Sequence, residues 1–294
     1  MSSNFTDRLR EYSLATEDYF NGYLRSLKNA PGKLIDSMLY SINAGGKRLR
    51  PALLLGTYEI FSENDLTKAV PYAASIEMIH TYSLIHDDLP SMDNDEFRRG
   101  KPSSHMVFGE AGAILAGDAL LNSAMENILS DLMDDYTDQK LRAASLIITS
   151  AGSEGMIGGQ ILDIEGAADS DSLKDMHSMK TGALINASVA AGGILGGCDK
   201  KDEESLIIYA NNMGCAFQIK DDILDVESTP EALGKPIGSD SRNDRITYTS
   251  LYGIPKAKEM LEVHVDSALE ALLRINADTG FLSSAAAYIK DRKE

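Results

Sequence analysis

The chain has 294 residues, of which 43% are hydrophobic and 25% are charged, and its formal net charge is −17. This length can bury a substantial core, and the composition is ordinary for a globular protein. The negative charge argues against a nucleic-acid partner, because phosphate backbones attract a basic surface. Cys198 and Cys215 form neither a metal-ligand pattern nor a disulfide framework, which suits a reducing cytoplasm.

The N-terminal segment "MSSNFTDRLREYSLATEDYF" carries charges throughout and lacks the apolar core of a secretory signal. Beyond it, apolar residues recur with a period near 3.6 residues, and no segment alternates as a strand would. We therefore predict an all-α chain. Breaks are expected at 29–33, 197–205 and 228–244, where turn-forming residues or charges gather. Since no linker or repeat divides residues 1–294, we predict a single domain.

The most apolar segment, "ALINASVAAGGILGGC", begins at Ala183 and has 16 residues. A membrane-spanning helix needs ~20 residues, so this segment is too short to cross a bilayer. It also contains Asn186 and many small residues. We expect a buried helix whose glycines allow close packing, and we expect no membrane span.

A first acidic cluster occurs in "SLIHDDLPSMDNDEFRRG", residues 83–100, where Asp87, Asp88 and Asp93 follow an apolar run. On an unbroken helix, at about 100° per residue, Asp93 would point roughly 120° away from Asp87. Pro90 lacks an amide hydrogen and disfavours helical geometry at the residue before it. We therefore expect the helix to end there and Asp93 to fold back toward Asp87.

A second cluster lies in "FQIKDDILDVES", which begins at Phe217. Helical spacing places Asp221, Asp222 and Asp225 on one polar stripe, with Gln218 one turn earlier. Carboxylate oxygens suit Mg²⁺, which also takes waters and substrate phosphates. One such cluster is usually a solvated acidic face, but two clusters embedded in apolar sequence favour a metal site.

Four short basic motifs accompany the acidic clusters: "GGKRLRP" (45–51), "RRGKP" (98–102), "MKTG" (179–182) and "LGKP" (233–236). Each motif alone is equally consistent with a basic surface loop. Together they supply the donors that bind a diphosphate, which is also the ligand that carboxylate-bound Mg²⁺ attracts.

In their order and spacing these segments, with "GMIGGQILDIEG" (155–166) and "LGKPIGSD" (233–240), resemble the polyprenyl synthetases, or trans-isoprenyl diphosphate synthases, from about Lys33 onward. The resemblance implies the isoprenoid synthase fold, a bundle of long antiparallel helices around a central cavity, usually as a homodimer, and the cysteine content already favours the cytoplasm. It also implies Mg²⁺-dependent condensation of isopentenyl diphosphate with an allylic diphosphate. Its partners would be these small diphosphate substrates.

By position, the resemblance implies three groups of site residues. The Mg²⁺ ligands are expected to be Asp87, Asp88, Asp93, Asp221, Asp222 and Asp225. Contacts to the allylic diphosphate are expected from Arg98, Lys180, Thr181, Gln218 and Lys235. Contacts to isopentenyl diphosphate are expected from Lys47, Arg50, His80 and Arg99. His80 alone would more often be a hydrogen-bonded core histidine, and only its place in "IHTYSLIHDD" favours the substrate pocket.

The catalytic residues implied are the carboxylates of the first motif, Asp221, and the donors that stabilise the departing diphosphate: Arg98, Lys180 and Lys235. The Lys180 carbonyl and the Thr181 hydroxyl would face the allylic cation. A class I terpene cyclase would have a different second motif and no "GGKRLRP", and a non-catalytic subunit would have lost one aspartate motif. A plain acidic helical scaffold is the remaining alternative.

Product length is expected to depend on Tyr82 and Ser83, five and four residues before the first motif. Tyr82 lies about 7.5 Å from Asp87 along the helix axis. In the family, an aromatic residue followed by a small one is typical of bacterial members that make farnesyl diphosphate, with fifteen carbons. Geranylgeranyl diphosphate, with twenty carbons, is the alternative product. Tyr82 could instead be an ordinary core tyrosine, with the floor of the channel elsewhere.

Three further features carry weaker expectations. Asp163 fits a family position with a supporting role, and Arg245 stands where the family often has lysine, so it is left outside the expected site. The basic tail with Lys290, Arg292 and Lys293 is either a lid over the isopentenyl site or a solvated segment.

Overall fold

The computed structural model describes residues 3–62, 65–227 and 246–293. The helices of these ranges are α1 (Ser3–Ser26), α2 (Gly32–Ile42), α3 (Leu49–Phe61), α4 (Val70–Asp87), α5 (Ser104–Phe108), α6 (Glu110–Asp134), α7 (Asp138–Ala151), α8 (Met156–Glu165), α9 (Ser170–His177), α10 (Ala183–Gly196), α11 (Lys200–Glu227), α12 (Tyr248–Tyr252), α13 (Ile254–Leu272) and α14 (Gly280–Asp291). A 3₁₀ turn spans Leu66–Lys68, and a π-helical turn spans Ser178–Gly182.

The prediction of an all-α chain is confirmed, apart from one small hairpin. Strand β1 (Phe97–Arg98) pairs antiparallel with β2 (Lys101–Pro102). Helix α4 packs against α6, α10 packs against α3, and α11 packs against α13. These pairs form a helical bundle in which the ends of α4 and α11 carry the two acidic motifs.

The apolar side chains form two clusters that α3 joins. Leu54 belongs to the cluster that includes α4 and α6, whereas Leu53 belongs to the cluster that includes α11 and α13. Leu9 and Phe281 pack against both clusters. The interior is therefore continuous across α3, which also carries part of the basic segment predicted to bind a diphosphate.

The buried helix expected from Ala183 is α10, and its glycines do allow close packing. A side chain at Gly192 would place Cβ 2.3 Å from the Leu54 carbonyl oxygen, and one at Gly193 would place Cβ 2.4 Å from Leu206. Larger residues at these positions would therefore push α3 or α11 away. Among the described residues, no helix is both long and apolar enough to cross a membrane.

The expected chain breaks have different outcomes. The break at 29–33 is confirmed for its first three residues, which lie between α1 and α2, whereas Gly32 and Lys33 already belong to α2. The break at 197–205 is shorter than expected, because α11 already begins at Lys200. Asp202 and Glu203 occupy its first turn, where carboxylates interact favourably with the helix dipole, so this charge run belongs to the helix. The break at 228–244 lies outside the described residues.

Candidate active site

The first acidic motif lies at the end of α4, where the chain reverses direction. The helix ends at Asp87, and the Asp93 amide donates a hydrogen bond of 2.9 Å to the Asp87 carbonyl oxygen. Asn94 follows with φ of 53° in the left-handed region. The expectation that Pro90 ends the helix and that Asp93 folds back toward Asp87 is therefore confirmed.

Asp87 is a partly buried carboxyl group with a strongly perturbed pKa. Burial raises the pKa of Asp87 to about 6, and the nearby Asp93 carboxylate shifts it in the same direction, whereas Lys180 opposes the shift. A cation placed between Asp87 and Asp93 would relieve both the repulsion and the lost solvation. This pair therefore has the electrostatic character of a cation site.

The carboxylate of Asp88, unlike that of Asp87, is bound by an arginine side chain, and the sequence did not reveal this difference. Its side chain is buried, and Arg98 Nε donates to both carboxylate oxygens, at 2.9 and 3.2 Å, while Arg98 Nη2 donates to one of them. Arg98 reaches this position from β1. The three carboxylates of the first motif thus do not share one face, and in this structure Asp88 serves as the partner of Arg98.

The second motif on α11 centres on Asp222, which is buried. One oxygen accepts from Gln218 Nε2 at 3.1 Å, and the other accepts from the Tyr248 amide at the start of α12, at 2.8 Å. Gln218 in turn accepts from the Thr181 hydroxyl at 3.3 Å. The structure therefore connects three of the predicted site residues, Thr181, Gln218 and Asp222, through direct hydrogen bonds.

The other two carboxylates of the second motif have separate environments. Asp225 is buried, whereas the side chain of Asp221 remains 40% exposed and forms an ion pair with Arg292. Arg292 also lies over the Phe217 ring, with its guanidinium carbon 4.1 Å from the ring centroid. The predicted polar stripe is therefore divided. The tail was expected to be either a lid or a solvated segment. The buried side chain of Arg292 is not that of a solvated segment.

Lys180 and Thr181 lie in the π-helical turn between α9 and α10. Lys180 Nζ lies 2.7 Å from an oxygen of Asp163, whose side chain is only 8% exposed. Helix α8 approaches this turn at Gly159, where an added Cβ would lie 2.1 Å from the Lys180 amide nitrogen. Single π turns often occur at functional sites. Asp163 therefore contacts Lys180 directly, and the supporting role expected of Asp163 stays a prediction.

A cavity of about 600 Å³ brings the two motifs together. Its lining includes Asp93 from the first motif, Asp222 and Gln218 from α11, Lys180 from the π turn and Asp163 from α8. Within the described ranges, no three acidic, histidine or cysteine side chains are grouped closely enough to hold one metal ion. The six predicted Mg²⁺ ligands therefore stay a prediction.

His177 is a cavity residue that the sequence reasoning missed. It lines the same cavity and stacks on Tyr248, with ring centroids 5.6 Å apart and planes 22° from parallel. Burial lowers the pKa of His177 to about 4, so the imidazole is neutral. The sequence did contain a signal for this position. His177 lies three residues before Lys180, and residues three apart share one helix face, so His177 could have been expected beside Lys180.

Arg50, His80 and Arg99, three of the predicted isopentenyl diphosphate residues, lie close to one another near the start of α3, and we call this cluster the basic pocket. Arg50 Nη1 lies 3.4 Å from His80 Nε2, and Arg50 Nε is buried with no hydrogen-bond partner in the described part of the chain. Burial lowers the pKa of Arg50, and burial together with Arg50 holds the pKa of His80 well below its ordinary value. A desolvated guanidinium with an unpaired Nε, such as that of Arg50, favours a bound anion.

Arg99 belongs to this cluster, and Lys47 lies three residues before Arg50 in the same segment. Arg99 has φ of 54°, and its guanidinium lies against Gly46, where an added Cβ would be 2.6 Å from the guanidinium carbon. It also donates to the Gly45 carbonyl oxygen. Lys47 Nζ lies 5.8 Å from the centre of the Tyr288 ring on α14. Gly46 therefore makes room for the Arg99 guanidinium, which is the physical reason for a glycine at that position of the motif.

Tyr82 and Ser83 do not line the cavity between the motifs. Tyr82 is buried and meets His86 edge-on, with ring centroids 5.7 Å apart, and burial raises the pKa of Tyr82 to about 12. His86 Nε2 lies 3.0 Å from the Ile114 carbonyl oxygen on α6. Ser83 donates to the His80 carbonyl oxygen at 2.9 Å. Tyr82 thus packs toward α6, and its role in product length stays a prediction.

Two residues discussed from the sequence, Lys235 and Arg245, lie outside the described residues, and so does the segment "LGKPIGSD". In the basic tail, Lys290 Nζ lies 3.2 Å from Glu262.

A helical bundle in which one cavity is lined by residues of two acidic motifs, with the Arg50–His80–Arg99 cluster nearby, is the arrangement expected of a prenyl-transferring enzyme. Comparison with known families agrees, since the Polyprenyl synthetase model matches residues 32–275. The chain therefore belongs to the polyprenyl synthetase family.

Individual relatives are similar over nearly their whole length. The chain is 44% identical to a farnesyl diphosphate synthase of Geobacillus stearothermophilus, covering 96% of this chain and 94% of the relative. It is 41% identical to a geranylgeranyl diphosphate synthase of Cyanophora paradoxa, over 98% of this chain and 97% of the relative. A crystal structure of an FPP/GFPP synthase from Zymomonas mobilis superposes with a TM-score of 0.85 at 33% identity, covering 99% and 100% of the two chains.

Proposed function

We propose that the protein is a farnesyl diphosphate synthase, which condenses isopentenyl diphosphate head-to-tail with dimethylallyl and geranyl diphosphate. The observation that carries this proposal is the single cavity that joins Asp93, Lys180 and Asp222, with the basic pocket of Arg50 and Arg99 beside α4. Similarity to named farnesyl diphosphate synthases supports the substrate class. The Tyr82–Ser83 pattern favours the fifteen-carbon product.

The donor set of the two motifs fits Mg²⁺. Hard carboxylate oxygens are available from both sides of the cavity, and the raised pKa of Asp87 indicates a site that a cation would stabilise. We propose Asp87, Asp93 and Asp221 as the first residues to test, because truncating the buried Asp88 or Asp222 would also leave Arg98 or the Tyr248 amide without its hydrogen-bond acceptor. When bound, Mg²⁺ neutralises negative charge that develops on the departing diphosphate.

The two substrates would bind to two different sets of residues, one at the cavity between the acidic motifs and one at the basic pocket. Lys180 and Arg98 would hold the allylic diphosphate and stabilise it as its bond to the allylic carbon breaks and the electron pair leaves with oxygen. Arg50 and Arg99 would hold isopentenyl diphosphate so that its double bond forms the new carbon–carbon bond. The released diphosphate then takes the proton that the product loses.

Within this reaction, Thr181 and Gln218 have a positioning role. Their hydrogen bond joins the π turn to α11, and Gln218 continues this connection to Asp222. The neutral hydroxyl and amide groups can face a carbocation without being alkylated. The same connection keeps Lys180, the neighbour of Thr181, at a fixed distance from the second motif.

A geranylgeranyl diphosphate synthase is the second candidate function. Two relatives with that name are 41% and 40% identical over 98% and 99% of this chain, and Tyr82 does not line the cavity. The ring of Tyr82 would then not limit the product to fifteen carbons. A terpene cyclase is disfavoured, because the basic pocket provides for a second diphosphate that a cyclase does not use.

We further propose that residues 1–294 form one domain that assembles as a homodimer in the cytoplasm. Helix α6 supports the dimer, since it exposes large apolar side chains along its length: Leu115 at 59%, Leu129 at 52% and Met133 at 87%. Exposed apolar patches often mark protein interfaces. Sedimentation of the native chain and of Leu129→Arg would test this, with a monomeric native chain as the contradicting result.

The function itself is tested by product analysis. The purified protein is supplied with isopentenyl diphosphate and Mg²⁺, and with dimethylallyl, geranyl or farnesyl diphosphate in turn. The dephosphorylated alcohols are then separated by chromatography. A fifteen-carbon alcohol from the first two primers and little product from the third is expected. A mainly twenty-carbon alcohol would favour the second candidate, and cyclic hydrocarbons formed without isopentenyl diphosphate would indicate a cyclase.

A further inference from the structure

Arg48 is the one cation of the "GGKRLRP" segment that is not expected to contact a substrate. Its side chain is 1% exposed, and its backbone is left-handed, with φ of 47° and ψ of 37°. Non-glycine residues rarely adopt this conformation unless the surrounding structure enforces it. The Arg48 carbonyl oxygen accepts from the Ala52 amide at 3.1 Å, so α3 begins at this residue.

The Arg48 guanidinium connects three other helices. It donates to Glu77 on α4 at 2.5 Å, to Glu17 on α1 at 2.9 Å and to the Ile42 carbonyl oxygen at the end of α2. Glu77 is buried as well, with 2% of its side chain exposed. Arginine suits such a site because its planar fork fixes the direction of several hydrogen bonds at once.

These contacts surround the basic pocket without entering it. Lys47 precedes Arg48 directly, and Arg50 follows two residues later. Glu77 lies three residues before His80, on the same face of α4. The Arg48–Glu77 pair therefore fixes the two chain segments that carry Arg50 and His80.

We propose that Arg48, held by Glu77 and Glu17, is a positioning residue for the isopentenyl diphosphate pocket; this inference rests on the proposed function. Arg48 does not touch the substrate. It presets the distance between Arg50 and His80 and holds the backbone of the glycine pair against which Arg99 lies. Such preorganisation lowers the cost of binding. Its loss should therefore weaken binding of isopentenyl diphosphate and leave the allylic substrate, which binds across the other cavity, nearly unaffected.

The test compares Arg48→Lys with Lys140→Met. Lysine keeps the charge of Arg48 but cannot donate to three acceptors at fixed angles. A change in KM or Kd of this variant therefore cannot be due to a lost charge that attracts the substrate. Lys140 is a matched control, because its side chain is 7% exposed and pairs with Asp131 at 3.0 Å and Asp135 at 3.2 Å, outside the basic pocket. The measurements are KM for each substrate, kcat, and calorimetric binding of isopentenyl diphosphate without an allylic substrate.

For Arg48→Lys we expect KM and Kd for isopentenyl diphosphate to rise roughly tenfold, the change that follows from weakening about one charge-assisted contact. We expect KM for geranyl diphosphate and kcat to stay within about twofold. Lys140→Met should change neither KM. Equal changes in both KM values, or an unchanged KM for isopentenyl diphosphate, would overturn the inference, because a merely structural role predicts no selectivity.

A milder variant covers the case in which Arg48→Lys does not fold. Glu17 has a side chain that is 33% exposed, so Glu17→Ala removes one partner of Arg48 at lower risk to folding. A rise of roughly two- to fivefold in KM for isopentenyl diphosphate alone is expected. No rise would overturn the inference. If the native protein itself does not bind isopentenyl diphosphate by calorimetry, the proposed function fails, which is a distinguishable result.

Discussion

Helix α8 approaches the backbone of the π turn very closely at Gly159, and substitution of this glycine gives the sharpest prediction. An alanine Cβ at this position would lie 2.1 Å from the Lys180 nitrogen and 2.6 Å from the Lys180 Cα, whereas real Cβ contacts under 3.0 Å are essentially absent. Because backbone atoms cannot rotate away as a side chain can, α8 or the π turn must move by about 1 Å. We therefore expect Gly159→Ala to displace Lys180 and Thr181.

The magnitude follows from this displacement. A misplacement of about 1 Å at a reacting centre can reduce the rate about 100-fold. We expect kcat/KM for geranyl diphosphate to fall by that factor, which corresponds to about 2.7 kcal/mol of transition-state stabilisation. KM for isopentenyl diphosphate should change by less than about threefold, since its proposed pocket is built by α3 and α4. Overpacking should also reduce the free energy of unfolding by about 1–3 kcal/mol.

The assay is steady-state incorporation of labelled isopentenyl diphosphate, together with denaturant unfolding of each variant. Gly22→Ala is the matched control, because Gly22 is an exposed residue of α1 with nothing within 4 Å of an added Cβ. That control should leave the kinetics unchanged and stabilise the fold by about 0.4–1 kcal/mol. A folded Gly159→Ala protein with kcat/KM within threefold of the native value would refute the reasoning.

Three further predictions concern the carboxylates, the two pockets and the product. Asp87→Ala or Asp221→Ala should abolish turnover while circular dichroism stays unchanged, because we expect both carboxylates to bind metal and not to support packing. Arg99→Ala should raise KM mainly for isopentenyl diphosphate, whereas Lys180→Ala should impair use of the allylic substrate. Each loss corresponds to about 1.5–3 kcal/mol for one charge-assisted contact. Tyr82→Ala should shift the product from fifteen toward twenty carbons, because the buried ring would no longer close the channel.

Each of these has a clear contradicting outcome. Near-normal activity of Asp87→Ala or Asp221→Ala across a Mg²⁺ titration would remove the model of two metal-binding motifs. Equal impairment of both substrates by Arg99→Ala and by Lys180→Ala would mean that the two pockets are not separate. An unchanged fifteen-carbon alcohol from Tyr82→Ala would place the floor of the channel elsewhere, with the native protein as the control.

Local chemistry explains which parts of the site could be predicted from sequence. The return of Asp93 toward Asp87 depends on Pro90, whose missing amide hydrogen acts within one helical turn. The close packing of α10 depends on Gly192 and Gly193, which are small in any context. Features of this kind are properties of a few adjacent residues, so spacing alone reveals them.

Other parts depend on contacts between distant segments and were therefore missed or misplaced. Asp88 is adjacent to Asp87, but its environment depends on Arg98, which lies in a β-hairpin. The strands of this hairpin are too short to show an alternating pattern in the sequence, so the contact could not be predicted. His177 is a cavity residue only because it stacks on Tyr248, 71 positions further along the chain. A helical period identifies the face on which a side chain lies, but it does not identify the group that meets that face.

The π-helical turn at Ser178–Gly182 has a consequence for how this chain tolerates insertions and deletions. Its hydrogen bonds join residues five apart, so the turn holds more chain than an α-helical turn would. Removing one residue there would allow α9 and α10 to merge into one regular helix, and every later side chain would rotate by about 100° relative to α9. Lys180 would then turn away from Asp163, and Thr181 from Gln218. The number of residues in this turn is therefore as strictly constrained as their chemical identity.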